Sequence, residues 1–110
     1  MAINSKKKGS AGERELASLL RGYGFTKVRR TAQFCGNTGE AADLVNLPGI
    51  HIECKRVERL DLYGAMKQAE RDAREGEIPA VFHRRNRTSW KVTMNLEDFI
   101  EIYKEWELHQ

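Results

Sequence analysis

Ile50-His51-Ile52-Glu53-Cys54-Lys55 alternates side chain by side chain with the period of a β-strand. Ile50, Ile52 and Cys54 fall on one face, and His51, Glu53 and Lys55 on the other. A carboxylate and an ammonium therefore project side by side. On most strands an E-x-K triplet is an exposed ion pair of small energetic value. The triplet alone decides nothing, and its neighbours have to be read with it.

Just upstream, Asp43 to Asn46 reads as a second strand, turned back by Leu47-Pro48-Gly49. A three-residue loop pairs Asn46 with Ile50 and sets Asp43 directly opposite Glu53. A two-residue loop, Pro48-Gly49, pairs Asp43 with Cys54 and turns it away. Gly49 can take the left-handed conformation that ends many three-residue loops, which favours the first register. Two carboxylates facing each other across a strand pair repel, so stability gives no reason for that arrangement without a cation. Oxygen ligands of this kind suit a hard divalent ion such as magnesium or manganese.

Working outward, Leu16, Leu19, Leu20 and Tyr23 recur at helical spacing, predicting a helix from about Ala11 to Tyr23 with Gly24 as its stop. Phe25 to Thr31 reads as a strand, and Gln33 to Ala41 as a loop rich in Gly, Asn and Thr. A helix fits Asp61 to Glu75, stopped by Gly76. Ala80 to Arg84 and Trp90 to Met94 form a second hairpin around Asn86 to Ser89. Asn95 caps a last helix to about Trp106. The expected order is αββαββα: one α/β domain over residues 1–110, with residues 1–9 a flexible basic N-terminus and no internal repeat.

A chain of 110 residues holds about one domain, so chemistry and substrate recognition must share one fold. Apolar residues at 40% and charged residues at 32% suit a folded domain and argue against disorder. No apolar run is long enough to span a bilayer, and Lys6 to Lys8 lead into a polar segment unlike a signal peptide, which points to a cytoplasmic protein. Cys35 and Cys54, the only two cysteines, form no C-x-x-C pair and suggest neither a disulfide framework nor a zinc site. The net charge is only +3, but its distribution is uneven. Lys6, Lys7, Lys8, Arg14, Arg21, Lys27, Arg29 and Arg30 crowd the first 30 residues, and Arg84, Arg85 and Arg87 form a second basic cluster. Glu97, Asp98, Glu101, Glu105 and Glu107 make the last helix acidic. One positive and one negative surface let a protein bind a polyanion at modest overall charge, although the same pattern also describes ordinary solvated faces.

Glu13 lies about 20° around an ideal helix from Leu20, on the apolar stripe, where a carboxylate demands a partner. Ser10-Ala11-Gly12-Glu13 also has the S-x-x-E spacing of a capping box, which would assign Glu13 to the helix start. Arg14 and Glu15 point outward, as solvent residues, an ion pair or a phosphate contact. Trp90, Phe99, Ile102, Tyr103 and Trp106 resemble core or interface residues; an acidic helix makes a poor surface for stacking bases.

Lys8-Gly9-Ser10-Ala11-Gly12-Glu13-Arg14-Glu15-Leu16 resembles the opening helix of the archaeal-type Holliday junction resolvases, within the PD-(D/E)xK nuclease superfamily. Gly24 to Arg29 resembles their first strand, Asp43-Leu44-Val45 their acidic second strand, and Ile52-Glu53-Cys54-Lys55 their catalytic third. The ordered set covers roughly the first half of the chain and is far more specific than any one piece. No Pro precedes Asp43, the Gln33 to Ala41 loop is longer, and the second half matches poorly. Similar short sequences occur in phages and prophages, so the resemblance extends to a viral relative.

The resemblance implies a restriction-endonuclease-like fold, a mixed central sheet flanked by helices, acting as a homodimer in magnesium-dependent cleavage of branched DNA, with manganese able to substitute. It implies that Glu13, Asp43 and Glu53 are metal ligands, joined by the Cys54 carbonyl. Lys55 would orient or activate the attacking water, and Lys8, Arg14, Arg29 and Arg30 would contact DNA phosphates. Gln68 matches a position where many such nucleases carry Gln near the site, though a surface Gln is the simpler reading. His51 shares the Glu53 face, but an oxygen-rich magnesium site has no need of an imidazole. For the leaving group, no physical argument chooses between Thr31 and Tyr63. Other readings are a same-fold nuclease acting on nicks, flaps or duplex DNA, and a DNA-binding domain without catalysis. Metal-dependent cleavage separates the last from the others, and substrate preference separates the first two.

Overall fold

The computed structural model describes residues 5–31 and 42–110, with side chains from residue 9 onward. The elements are α1 (Ser5–Gly22), β1 (Arg29–Arg30), β2 (Leu44–Val45), β3 (Ile50–Arg56), α2 (Leu62–Asp72), β4 (Ile78–Arg84), β5 (Lys91–Met94) and α3 (Leu96–Leu108). Their order is αβββαββα. The shorter pattern αββαββα leaves out one of the two brief strands that precede β3. The five strands form one mixed sheet in the order β1-β2-β3-β4-β5, with β3 and β4 parallel and the other neighbours antiparallel.

β3 holds the middle of this sheet because α2 carries the chain across to a parallel β4, the connection that a βαβ unit requires. Leu16 and Ala17 of α1 pack with Val28, Leu44, Ile52, Cys54, Ala80 and Phe82 on one face. Ala65, Met66 and Ala69 of α2 pack with Val81 on the other. Both faces of β3 are thus covered, and its polar face, His51 and Glu53, is as buried as its apolar one.

The β2–β3 register pairs Leu44 with Ile52, which sets Asp43 opposite Glu53 as the three-residue loop predicts. Asn46 and Gly49 both have positive φ, at 74° and 84°, so the reversal uses two left-handed residues at its ends. Of the strand expected over Phe25 to Thr31, only Arg29 and Arg30 pair with β2. The preceding residues turn, with Val28 N–H bonded to the Phe25 carbonyl.

The helix boundaries shift for local reasons. α1 begins at Ser5, so Ser10 sits inside the helix and the capping box does not form. α2 starts one residue after Asp61, whose carboxylate accepts from Gly64 N–H as an N-cap. It ends at Asp72 instead of Glu75, because Ala73 is extended and Arg74 N–H turns to the Glu77 carboxylate. Asn95 stands at the cap position of α3, but its amide donates to Glu70.

α3 departs most from expectation. None of its 13 residues is buried, and Phe99, Ile102, Tyr103 and Trp106 are exposed, correcting the core reading for these four. Phe99, Tyr103 and Trp106 stack on one another along the helix. Trp90 does pack against the α1-side core. The Gln33 to Ala41 loop, Cys35 and the Lys6 to Lys8 side chains lie outside the described residues. Among the described residues, no helix is long and apolar enough to cross a membrane.

Candidate active site

Glu53 sits mid-strand on β3 with no solvent exposure. Its Oε1 lies 2.9 Å from Nε2 of His51, two residues away on the same face. Its Oε2 is buried and has no hydrogen-bond partner. A buried carboxylate oxygen without a donor is costly unless something electropositive approaches it.

Asp43 faces Glu53 across the ladder, and its Oδ2 accepts a 2.7 Å hydrogen bond from Cys54 N–H. Burial, and next the charge of Glu53, push the Asp43 carboxyl from its ordinary 3.8 up to about 7. Glu13 adds to the rise, while the Cys54 N–H and Lys55 oppose it. Glu13, Glu53 and Lys55 therefore all act electrostatically on one carboxyl group. Burial, and then the charges of Asp43 and Glu13, hold the Cys54 thiol well above its usual range.

A cavity of about 260 Å³ opens between α1 and the end of β3, lined by Glu13, Asp43, Cys54 and Lys55 together with Gly9, Arg56 and Val57. Lys55 also borders a second opening that contains Gln68, and its Nζ donates to Gln68 Oε1 at 3.3 Å. The first cavity thus gathers Glu13, Asp43, Cys54 and Lys55, the second joins Lys55 to Gln68, and Glu53, fully buried opposite Asp43, lines neither. A larger cavity, about 480 Å³, lies on the other side of His51 and contains Arg29, Asp72, Arg74 and Glu77 but none of those six.

The basic residues divide. Arg30 is turned toward α1, its Nε donating to Glu13 Oε1 at 3.0 Å and its Nη2 to Ser10 Oγ at 2.9 Å. Arg14 and Arg29 are exposed. Arg84 is held by Glu15 through contacts of 2.6 and 3.1 Å, and Trp90 Nε1 donates to the same carboxylate at 2.9 Å. Arg84 leads this set in drawing the Glu15 carboxyl below its usual range. Glu15 is therefore an internal tie between α1 and β4, and Arg84 is neutralised within the basic cluster read around it. Sequence offers no signal for this network, because its partners are 69 and 75 residues apart. The Glu13–Arg30 pair was equally hidden, whereas the His51–Glu53 contact follows from the two-residue period of β3. Thr31 is buried with its hydroxyl unpartnered, while Tyr63 is almost fully exposed.

Among the described residues, no three His, Cys, Asp or Glu side chains stand close enough as placed to enclose an ion. Each carboxylate has an oxygen turned to a protein donor: Glu13 to Arg30, Asp43 to the Cys54 N–H, Glu53 to His51. The donor set nonetheless fits a divalent cation, since it is all oxygen, includes the orphaned Glu53 Oε2, and holds two facing carboxylates whose mutual repulsion raises Asp43.

A small α/β domain with a mixed sheet, paired acids on its central strands and a lysine two residues after the second acid defines the PD-(D/E)xK nuclease class. A sequence-family model described as "Phage putative PDDEXK endonuclease" matches residues 4–109, and the chain belongs to that family. No curated protein and no solved structure matches it. Nucleases of this class generally use divalent metals, and an endonuclease family implies DNA as the partner.

Proposed function

We propose that the protein is a magnesium-dependent, structure-selective endodeoxyribonuclease that resolves four-way DNA junctions in the cytoplasm of the host cell. The observation that carries the catalytic part is the meeting of Asp43 and Glu53 across the β2–β3 ladder, with Lys55 on the same strand as Glu53. Asp43, Glu53 and Glu13, with the Cys54 carbonyl, would hold magnesium, and manganese, equally content with oxygen ligands, would substitute. A bound divalent ion would lower the pKa of a water and offset charge gathering on the phosphate.

The chain's own residues do the remaining work. Lys55, steadied by Gln68, places a positive charge beside the attacked phosphate and orients the water. Arg30 holds Glu13 toward the cleft from α1. Arg14 and Arg29, both exposed, together with Lys8, contact backbone phosphates, which carry affinity without sequence preference.

Junction selectivity rests on the ordered resemblance of residues 8–16, 24–29, 43–45 and 52–55 to the archaeal-type resolvases. Resolving a junction requires two symmetry-related cuts, which a homodimer with one site per subunit makes most simply. The aromatic face of α3, exposed on the single chain, supports such a pairing. A labelled immobile four-way junction, a flap and a linear duplex, each incubated with magnesium, test this reading. Paired symmetric nicks near the crossover, with the flap and duplex left largely intact, are expected. Preferential cutting of the flap or the duplex would replace junction resolution with another nuclease role.

A further inference from the structure

We infer that His51 is a positioning residue for catalysis: it fixes the Glu53 carboxylate in one rotamer so that Oε2 alone is presented to the metal. The inference rests on the reading of Glu53 as a metal ligand. His51 is only 2% exposed and Glu53 is fully buried, so water cannot replace their contact. Nε2 stands 2.9 Å from Oε1, a hydrogen bond in the tautomer that carries its proton on Nε2. The other carboxylate oxygen has no partner. One oxygen is thus tied and its twin buried without a partner, an arrangement that orients a ligand before it binds.

Nδ1 lies 4.0 Å from Glu77 Oε1, beyond hydrogen-bond range. Asp72 and Glu77 share the cavity wall with His51. The β3 alternation sets His51 and Glu53 on one face. A glutamate free to rotate would lose side-chain entropy on binding an ion, and outer partners of ligands commonly change metal affinity by about 10- to 100-fold.

Manganese titration by calorimetry without DNA, together with thermal melts, reads this on wild type, Glu53→Gln, His51→Met and His51→Gln. Met and Gln match in length and differ in the hydrogen-bond donor. His51→Met is expected to bind manganese about 10-fold or more weakly, and His51→Gln to recover to within about 3-fold of wild type. Long-range proton–nitrogen spectra of wild type should show the His51 proton on Nε2. Wild-type affinity in a folded His51→Met, equal weakness of the Gln and Met variants, or an unprotonated Nε2 overturns the inference while the active-site reading stands. Undiminished manganese binding by Glu53→Gln overturns both together.

Discussion

Asp43→Asn removes a charge from a place where the fold resists charge. Burial and the facing Glu53 raise the Asp43 carboxyl from 3.8 to about 7. With a higher pKa folded than unfolded, the native state holds the proton over roughly pH 4 to 7, and stability falls as pH rises through that window. A shift of this size corresponds to at most about 4 kcal/mol at pH 8, because each pKa unit is about 1.4 kcal/mol. Because part of the rise comes from the charge of Glu53 and not from burial alone, a loss of about 2 to 4 kcal/mol is expected over the whole window. Asn keeps an oxygen for the Cys54 N–H and cannot ionise. Urea unfolding in chelator at pH 5 and pH 8 should show wild type losing about 1 to 2.5 kcal/mol more than Asp43→Asn, because the part of the shift below pH 5 lies outside that interval. Magnesium at pH 8 should return stability to wild type and little to the variant, since the ion binds only the native carboxylate pair. Parallel pH dependence of the two proteins in chelator would refute the reasoning, since Asp43 would then be ionised in the folded state as readily as in the unfolded chain.

Lys55→Met should lower the cleavage rate by about 10²-fold while leaving junction affinity nearly unchanged, as the loss of one electrostatic contact to developing charge requires; single-turnover kinetics and gel shifts measure the two separately. Glu15→Gln breaks the tie to Arg84 and weakens the one to Trp90, and should cost about 1 to 3 kcal/mol in urea unfolding without changing the cleavage rate of the folded protein. Arg29→Ala, at an exposed residue, should weaken binding to all DNA alike and flatten the plot of log affinity against log salt by about one unit of slope.

The part of the fold nearest the chemistry was legible because it is governed by short-range rules. Two-residue alternation set the faces of β3, and the left-handed capacity of Gly49 set the register that brings Asp43 to Glu53. What escaped was decided by tertiary contacts. Ser10 has ideal capping spacing, yet Arg30, 20 residues on, takes its hydroxyl. Glu15 reads from sequence as a solvent residue, an ion pair or a phosphate contact, and only β4 and Trp90, arriving from the far end of the chain, make it an ion pair with Arg84. His51 shares the Glu53 face by period, which sets the two side chains in contact, but only tertiary packing buries the pair. On α3 the aromatic spacing predicted a covered face, and within the single chain that face stays exposed, because amphipathic period marks a surface to be buried without saying against what.

The central claim is that a carboxylate pair built around Glu53 holds the metal that drives DNA cleavage. Its most direct test is cleavage of a labelled four-way junction by wild type and Glu53→Gln, in magnesium and in chelator, with binding measured in parallel. Cutting by wild type in magnesium alone, and none by a Glu53→Gln protein that still folds and binds DNA, is the predicted result. Cutting that survives chelation, or a Glu53→Gln protein that cuts at the wild-type rate, would contradict it.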